Sequence, residues 1–185
     1  MKIRNDYVSN SSSSSFIIIS SNGTDETKDI SEQFMKYQGS WCAYEFPNDR
    51  YKYEFGWEKE ITNDFGGKLN FVGIQLLELL SMKINGVEPW GDIDPNKFDE
   101  YYDMVRDVCK EEFGFGCMLN MDKLRTELCN GADGYKIELS VDGCYIDHQS
   151  CVTEGSCMEM FESKSAMIDF LRFKESYIEG GNDNG

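Results

Sequence analysis

The chain has 185 residues, and 18 Lys+Arg against 34 Asp+Glu leave a formal net charge of −16 at pH 7. With 40% hydrophobic and 14% aromatic residues and only three prolines, it can build a core and is not an acidic disordered polymer. No apolar run approaches the roughly 20 residues of a membrane span. The N-terminus leads into serines rather than a signal-peptide core, so a cytoplasmic protein is expected. The charge opposes tight unaided binding to nucleic acid, whose affinity comes from Lys and Arg displacing counterions. It fits either solubility alone or competition for a basic groove on another protein.

Residues 1–15 are polar and end in Ser11-Ser12-Ser13-Ser14-Ser15, which reads as a flexible arm. Phe16-Ile17-Ile18-Ile19 then reads as a strand buried on both faces. Asp25 to Gly39 suggests a short helix. Trp41–Phe46 and Tyr51–Phe55 flank Pro47-Asn48-Asp49-Arg50 as an aromatic hairpin. Phe71 to Ile84 is apolar nearly all round, with Asn70 as a candidate cap, and predicts a helix at the centre of the domain. Asp94 and Pro95 open a further helix. Its apolar stripe is Phe98, Tyr101, Tyr102, Val105, Val108, Cys109 and Phe113; Glu100, Asp103, Asp107, Glu111 and Glu112 line the other face.

A helix over Met121 to Cys129 is expected to end at Gly131. Tyr135, Ile137, Leu139 and Val141 alternate with Lys136, Glu138 and Ser140, giving a strand. A two-residue turn at Asp142-Gly143 would pair Val141 with Cys144, Leu139 with Ile146 and Ile137 with His148. Ser163 caps a last helix, Lys164 to about Phe173, with Ala166, Met167, Phe170 and Leu171 inward. Together these elements predict one α+β domain over residues 1–185. It would have a mixed or antiparallel sheet, about five helices, and residues 1–15 as a serine-rich N-terminal arm.

The seven cysteines are odd in number and lack CxxC spacing, so they read as small buried hydrophobes rather than disulfides or zinc ligands. His148 is the only histidine, hence the only imidazole for acid/base work. On the apolar side of the strand it is equally a half-buried ring satisfied by a backbone carbonyl. Asp147 would point to the opposite face, so it cannot orient His148 as a triad partner would, which argues against a Ser/His/Asp hydrolase. The same register sets Asp147 opposite Glu138, a carboxylate pair that is either solvated or able to hold a divalent cation such as Mg²⁺. The serine run offers hydroxyls and N–H groups to phosphate, with Lys2 and Arg4 the nearby cations. Gly114-Phe115-Gly116 is not a phosphate loop.

The stretch Met1-Lys2-Ile3-Arg4-Asn5-Asp6-Tyr7-Val8-Ser9-Asn10, five serines and Phe16-Ile17-Ile18 resembles a start shared by otherwise diverse proteins of Firmicutes phages and mobile elements. The tail Tyr177–Asn184 and Asp147-His148-Gln149-Ser150 resemble other parts of the same group. Some of its members are anti-CRISPR inhibitors of type II effector nucleases. Several of those provoke cleavage or truncation of the guide RNA, with the shared N-terminal segment implicated. The resemblance implies a partner, the effector with its guide RNA, in the cytoplasm of a bacterial host. It also implies an effector-dependent ribonuclease, and the needs of RNA cleavage then suggest Arg4, Asp6, Asn10 and Ser11 to Ser15 as one wall with Asp147, His148 and Asn182 as companions. That grouping requires the Phe16 strand to lie near the Tyr135–Gln149 segment and the C-terminal tail. Two other readings stand beside it: an acidic protein that blocks a nucleic-acid-binding groove, and a structural or regulatory phage protein.

Overall fold

The computed structural model describes residues 16–27, 44–48, 54–55, 60–89, 93–132, 134–141, 145–146 and 158–180. Its centre is α1, Phe65–Ile84, whose residues from Phe65 to Leu77 are all buried. Apolar side chains right round the cylinder leave no face suited to water, so the other elements wrap it. The helix begins earlier than Asn70: Asp64 is the cap, its carboxylate accepting from Gly67 N–H at 2.9 Å. Asn70 instead sits inside the helix and clasps the chain beside it. Its Oδ1 accepts from Asn48 N–H at 2.6 Å and its Nδ2 donates to Asn48 C=O at 3.4 Å.

Helix α2 (Phe98–Glu112) follows a 3₁₀ turn at Pro95–Lys97 capped by Asp94, as its start signals require. Phe98, Tyr101, Val105, Val108 and Cys109 are buried, so the stripe read from spacing is the packed one. Helix α3 (Lys164–Arg172) is capped by Ser163, whose Oγ accepts from Ala166 N–H, and buries Met167, Phe170 and Leu171. Rings knit the packing: Phe65 meets Phe113 edge-on at 5.0 Å, and Tyr101 stacks on Phe161 at 4.8 Å.

Four small sheets surround the helices. Strands β1 (Phe16–Ile18), β4 (Glu60–Thr62) and β9 (Tyr177–Gly180) form an antiparallel sheet in the order β1-β9-β4. β1 is thus an edge strand, not one buried on both faces; Ile17 is half-buried and Ile18 39% exposed. Among the described residues, the two segments of the expected aromatic hairpin do not pair with each other but enter two parallel pairs. β2 (Tyr44–Phe46) pairs with β5 (Cys117–Leu119), and β3 (Glu54–Phe55) with β8 (Tyr145–Ile146). β2 lies so close to α1 that a Cβ on Gly73 would stand 2.2 Å from Phe46 Cδ2.

The helix expected over Met121 to Cys129 is a 3₁₀ turn, Met121–Lys123, and then β6, Leu124–Gly131. β6 pairs antiparallel with β7, Gly134–Val141, from Leu124↔Val141 to Gly131↔Gly134. Leu139 therefore faces Thr126, while Ile146 faces Phe55. The outer edge of β7, where Ile146 was expected, is taken by the end of α1. Asn85 Oδ1 accepts from Leu139 N–H at 3.0 Å, and Asn85 Nδ2 and Ser81 Oγ donate to Leu139 C=O at 2.9 and 2.5 Å.

The fold is α+β, with three α-helices among the described residues rather than five, and both parallel and antiparallel pairs. The serine arm, all but the first residues of the Asp25–Gly39 helix, and the Asp142-Gly143 turn lie outside the described residues. Among the described residues no helix is long and apolar enough to cross a membrane.

Candidate functional site

The register of β1 on β9 sets where two chain segments that lead to candidate residues meet the sheet. Phe16 is paired with Glu179, and Gly180 with Glu60, so β1 begins where β9 finishes. The chain that carries the serines joins the domain at the same sheet end from which the chain continues towards Asn182. Of the two meetings the grouping requires, the Phe16 strand does pair with the C-terminal segment, whereas the Tyr135–Gln149 segment contributes β7 and β8 to two other sheets. Arg4, Asp6, Asn10, Ser11, Ser12, Ser13, Ser14, Ser15, Asp147, His148 and Asn182 themselves lie outside the described residues.

Glu138 is the one candidate that is described, and its surroundings differ from the expected carboxylate pair. Its cross-strand neighbour is Glu127, not Asp147. Like charges directly opposite are unfavourable, and a local cation offsets them: Lys136 forms an ion pair with Glu138. That ammonium holds the Glu138 carboxyl below its usual range, with a contribution from the Cys129 thiol. A carboxylate already satisfied by a lysine is a poor start for a cation site. Among the described residues no group of three His, Cys, Asp or Glu side chains is arranged to hold a metal ion.

Sequence reasoning missed the polar centre at the other end of the sheet. Lys68 lies on the first turn of α1, with 0% of its surface exposed. Its Nζ donates to Phe173 C=O at 2.8 Å and Ser176 C=O at 3.2 Å, and stands 5.9 Å from the Phe170 ring centroid. Burial lowers its pKa from 10.5 to about 8, against the attraction of Glu26, Asp64 and Glu175. The two carbonyls belong to the turn between α3 and β9, so this ammonium fixes α3 and β9 to α1.

Residues 20–27 fasten to the same turn. Ser20 N–H donates to Ser176 Oγ at 2.9 Å, and the Ser176 hydroxyl donates to Asp169 C=O at 2.8 Å. Glu175 accepts from Thr24 N–H at 2.7 Å and from the Thr24 hydroxyl at 3.0 Å, which keeps its carboxyl below the usual range. An isolated bridge between Asp25 and Phe173 continues the seam. These bonds hold β1 in register from its C-terminal side. The only signal in sequence is a single lysine beside Gly66-Gly67 at the head of an apolar run, too slight to set Lys68 apart.

No family model, curated protein or solved structure matches this chain.

Proposed function

We propose that this chain is an anti-CRISPR inhibitor of a type II CRISPR effector nuclease, acting by effector-dependent cleavage or truncation of the guide RNA. The observation that carries the reading is the pairing of Phe16 with Glu179. It pairs the residue that follows the serine run with a strand of the Tyr177–Asn184 tail, and both of those segments share the resemblance to the phage and mobile-element group. RNA strand cleavage needs a base for the 2′-hydroxyl or a metal-activated water, and stabilisation of charge on the phosphorane. Arg4 and the hydroxyls of Ser11 to Ser15 suit the second task; Asp6 and His148 suit the first. A chain of charge −16 does not hold RNA tightly by itself. Docked on a basic effector, it would act on RNA presented there, and its activity would depend on the complex.

The groove-blocking alternative relies on the carboxylates of α2. Asp99, Asp103, Glu111 and Glu112 are engaged by Lys83, Arg106, Lys164 and Arg172 of this same chain, which leaves Glu100 and Asp107 outside those pairs. That reduces the charge available to a basic groove.

The test mixes the purified protein with a type II effector and end-labelled guide RNA, with and without Mg²⁺, on a denaturing gel. A shortened guide only when all components are present is the expected outcome, lost in Asp6→Ala or His148→Ala. An intact guide with DNA cleavage abolished would establish the groove blocker instead. An intact guide with DNA cleavage unaffected would reject both.

A further inference from the structure

The β6–β7 hairpin leaves two features without a partner among the described residues. Leu124, Thr126, Leu128 and Asn130 share a face with Tyr135, Ile137, Leu139 and Val141. At the base of the hairpin that face is spent on the body, where Leu124 and Val141 pack against the core. At its distal half Leu128, Tyr135 and Ile137 are 68%, 74% and 70% exposed, with Leu128 directly opposite Ile137. Three large apolar side chains held together in water on one face of a paired ribbon form an exposed apolar patch.

The second feature is the outer edge of β6. Leu139 gives its N–H and C=O to α1, so Leu139 and Thr126 form a non-hydrogen-bonded pair of the ladder. The backbone groups of Thr126 therefore point away from β7, and by alternation so do those of Leu128 and Asn130. None of the described residues bonds them. Such an edge is a template for another strand.

We infer that this edge is a self-complementary interface, on which β6 of a second copy pairs antiparallel about a two-fold axis at Thr126. The charges select the occupant and the register. With Thr126 opposite Thr126 of the second copy, Arg125, whose guanidinium also donates to the Asp122 and Leu124 carbonyls, stands opposite Glu127 in both directions, which sets opposite charges against each other twice across the dyad. A register centred on Glu127 would set the two Glu127 side chains against each other. It would also pair backbone groups that point inward, towards β7. The Thr126 register puts Leu128 of each copy beside Leu124 of the other, at the base of that copy's hairpin. Leu128, the β6 member of each exposed patch, is thereby carried to the other copy's body, while Tyr135 and Ile137 stay one strand further out on β7. Residues 124–141 contain two cations and three carboxylates, so the joint is nearly neutral although the whole chain carries −16. Repulsion between two such acidic chains is least at this surface.

The experiment is sedimentation equilibrium of the full chain in reducing buffer over a concentration series, with circular dichroism to check folding. The wild type is expected to reach twice its 21.3 kDa chain mass. Thr126→Pro removes an N–H that β7 does not use, so it is expected to leave the fold intact and the protein monomeric. Arg125→Glu and Glu127→Arg are each expected to weaken association at least about tenfold. The double swap R125E/E127R is expected to restore it, which serves as the control should the proline variant fail to fold. A wild type that stays monomeric at its highest soluble concentration overturns the inference. So does a dimer that survives Thr126→Pro, one that the double swap does not rescue, or one formed only without reductant.

Discussion

Lys68 shows how one side chain ties the fold together at a cost. Its ammonium satisfies two carbonyls at the α3–β9 turn, yet is wholly buried, and its pKa falls to about 8. Hydrogen bonds from a charged donor contribute about 1.5–3 kcal/mol each. A drop from 10.5 to about 8 corresponds to a penalty of about 3 kcal/mol on the charged form. Below pH 8 both folded and unfolded chains carry the proton and the whole penalty applies. Between about 8 and 10.5 the unfolded chain binds more protons than the folded one, so this lysine's contribution to stability rises with pH. Lys68→Met removes the titration. The stability of wild type minus that of K68M, from urea unfolding, should therefore grow by about 3 kcal/mol across that window. Thiols and phenols that titrate in the same range cancel in the difference; a flat difference would mean that Lys68 is not desolvated. Cys109 illustrates the opposite burial effect: its contact with the Cys117 thiol and its burial push its pKa well up, leaving both as packing residues.

Elements with local signals were legible and elements with distant partners were not. Asp94 with Pro95, and Ser163, are caps written in sequence, and α2 and α3 begin where they say. β6 was misread because Leu124 and Leu128, four apart, fit one face of a helix as readily as a strand. The decision lies in β7, and in the tight turn that Gly134 permits with φ of +109°. Tyr44–Phe46 and Glu54–Phe55 are strands, as the aromatic pattern indicates. The pattern does not name their partners, because parallel neighbours come from beyond residue 116. The outer edge of β7 depends on Asn85, which both ends α1 and bonds Leu139 twice. Asn85→Ala should cost about 2 kcal/mol, the sum of two ordinary hydrogen bonds in a half-buried place. Amide exchange at Leu139 should accelerate more than at Val105 in α2. Equal acceleration at both would mean that the hairpin unfolds only with the whole domain.

At the scale of the molecule, the sequence names candidate residues but not the geometry that would group them. A single strand cannot reveal that Phe16 will meet Glu179, nor that Lys68 will find its acceptors beyond Arg172. Those juxtapositions follow from α1 being wrapped on every side. The same wrapping sets the electrostatic balance. Lys83–Asp99 links α1 to α2, while Lys164–Glu111 and Arg172–Glu112 link α2 to α3, with side chains between 28% and 73% exposed. Exposed pairs of this kind contribute at most about 1 kcal/mol each. Against them stands the self-repulsion of a compact chain with charge −16, which acts over the whole surface. Raising NaCl from about 20 to about 200 mM shortens the screening length from about 20 to about 7 Å. The repulsion spans distances longer than that and is largely removed. The ion pairs, with their atoms in contact, are weakened less. Salt should therefore stabilise the protein, raising Tm by about 2–4 °C per kcal/mol gained for a chain of this size. Scanning calorimetry at fixed protein concentration and pH 7 decides the sign. A Tm that falls with NaCl would mean that the three inter-helix pairs outweigh the net charge, and that the helices are held together by their surface rather than by the apolar cylinder of α1.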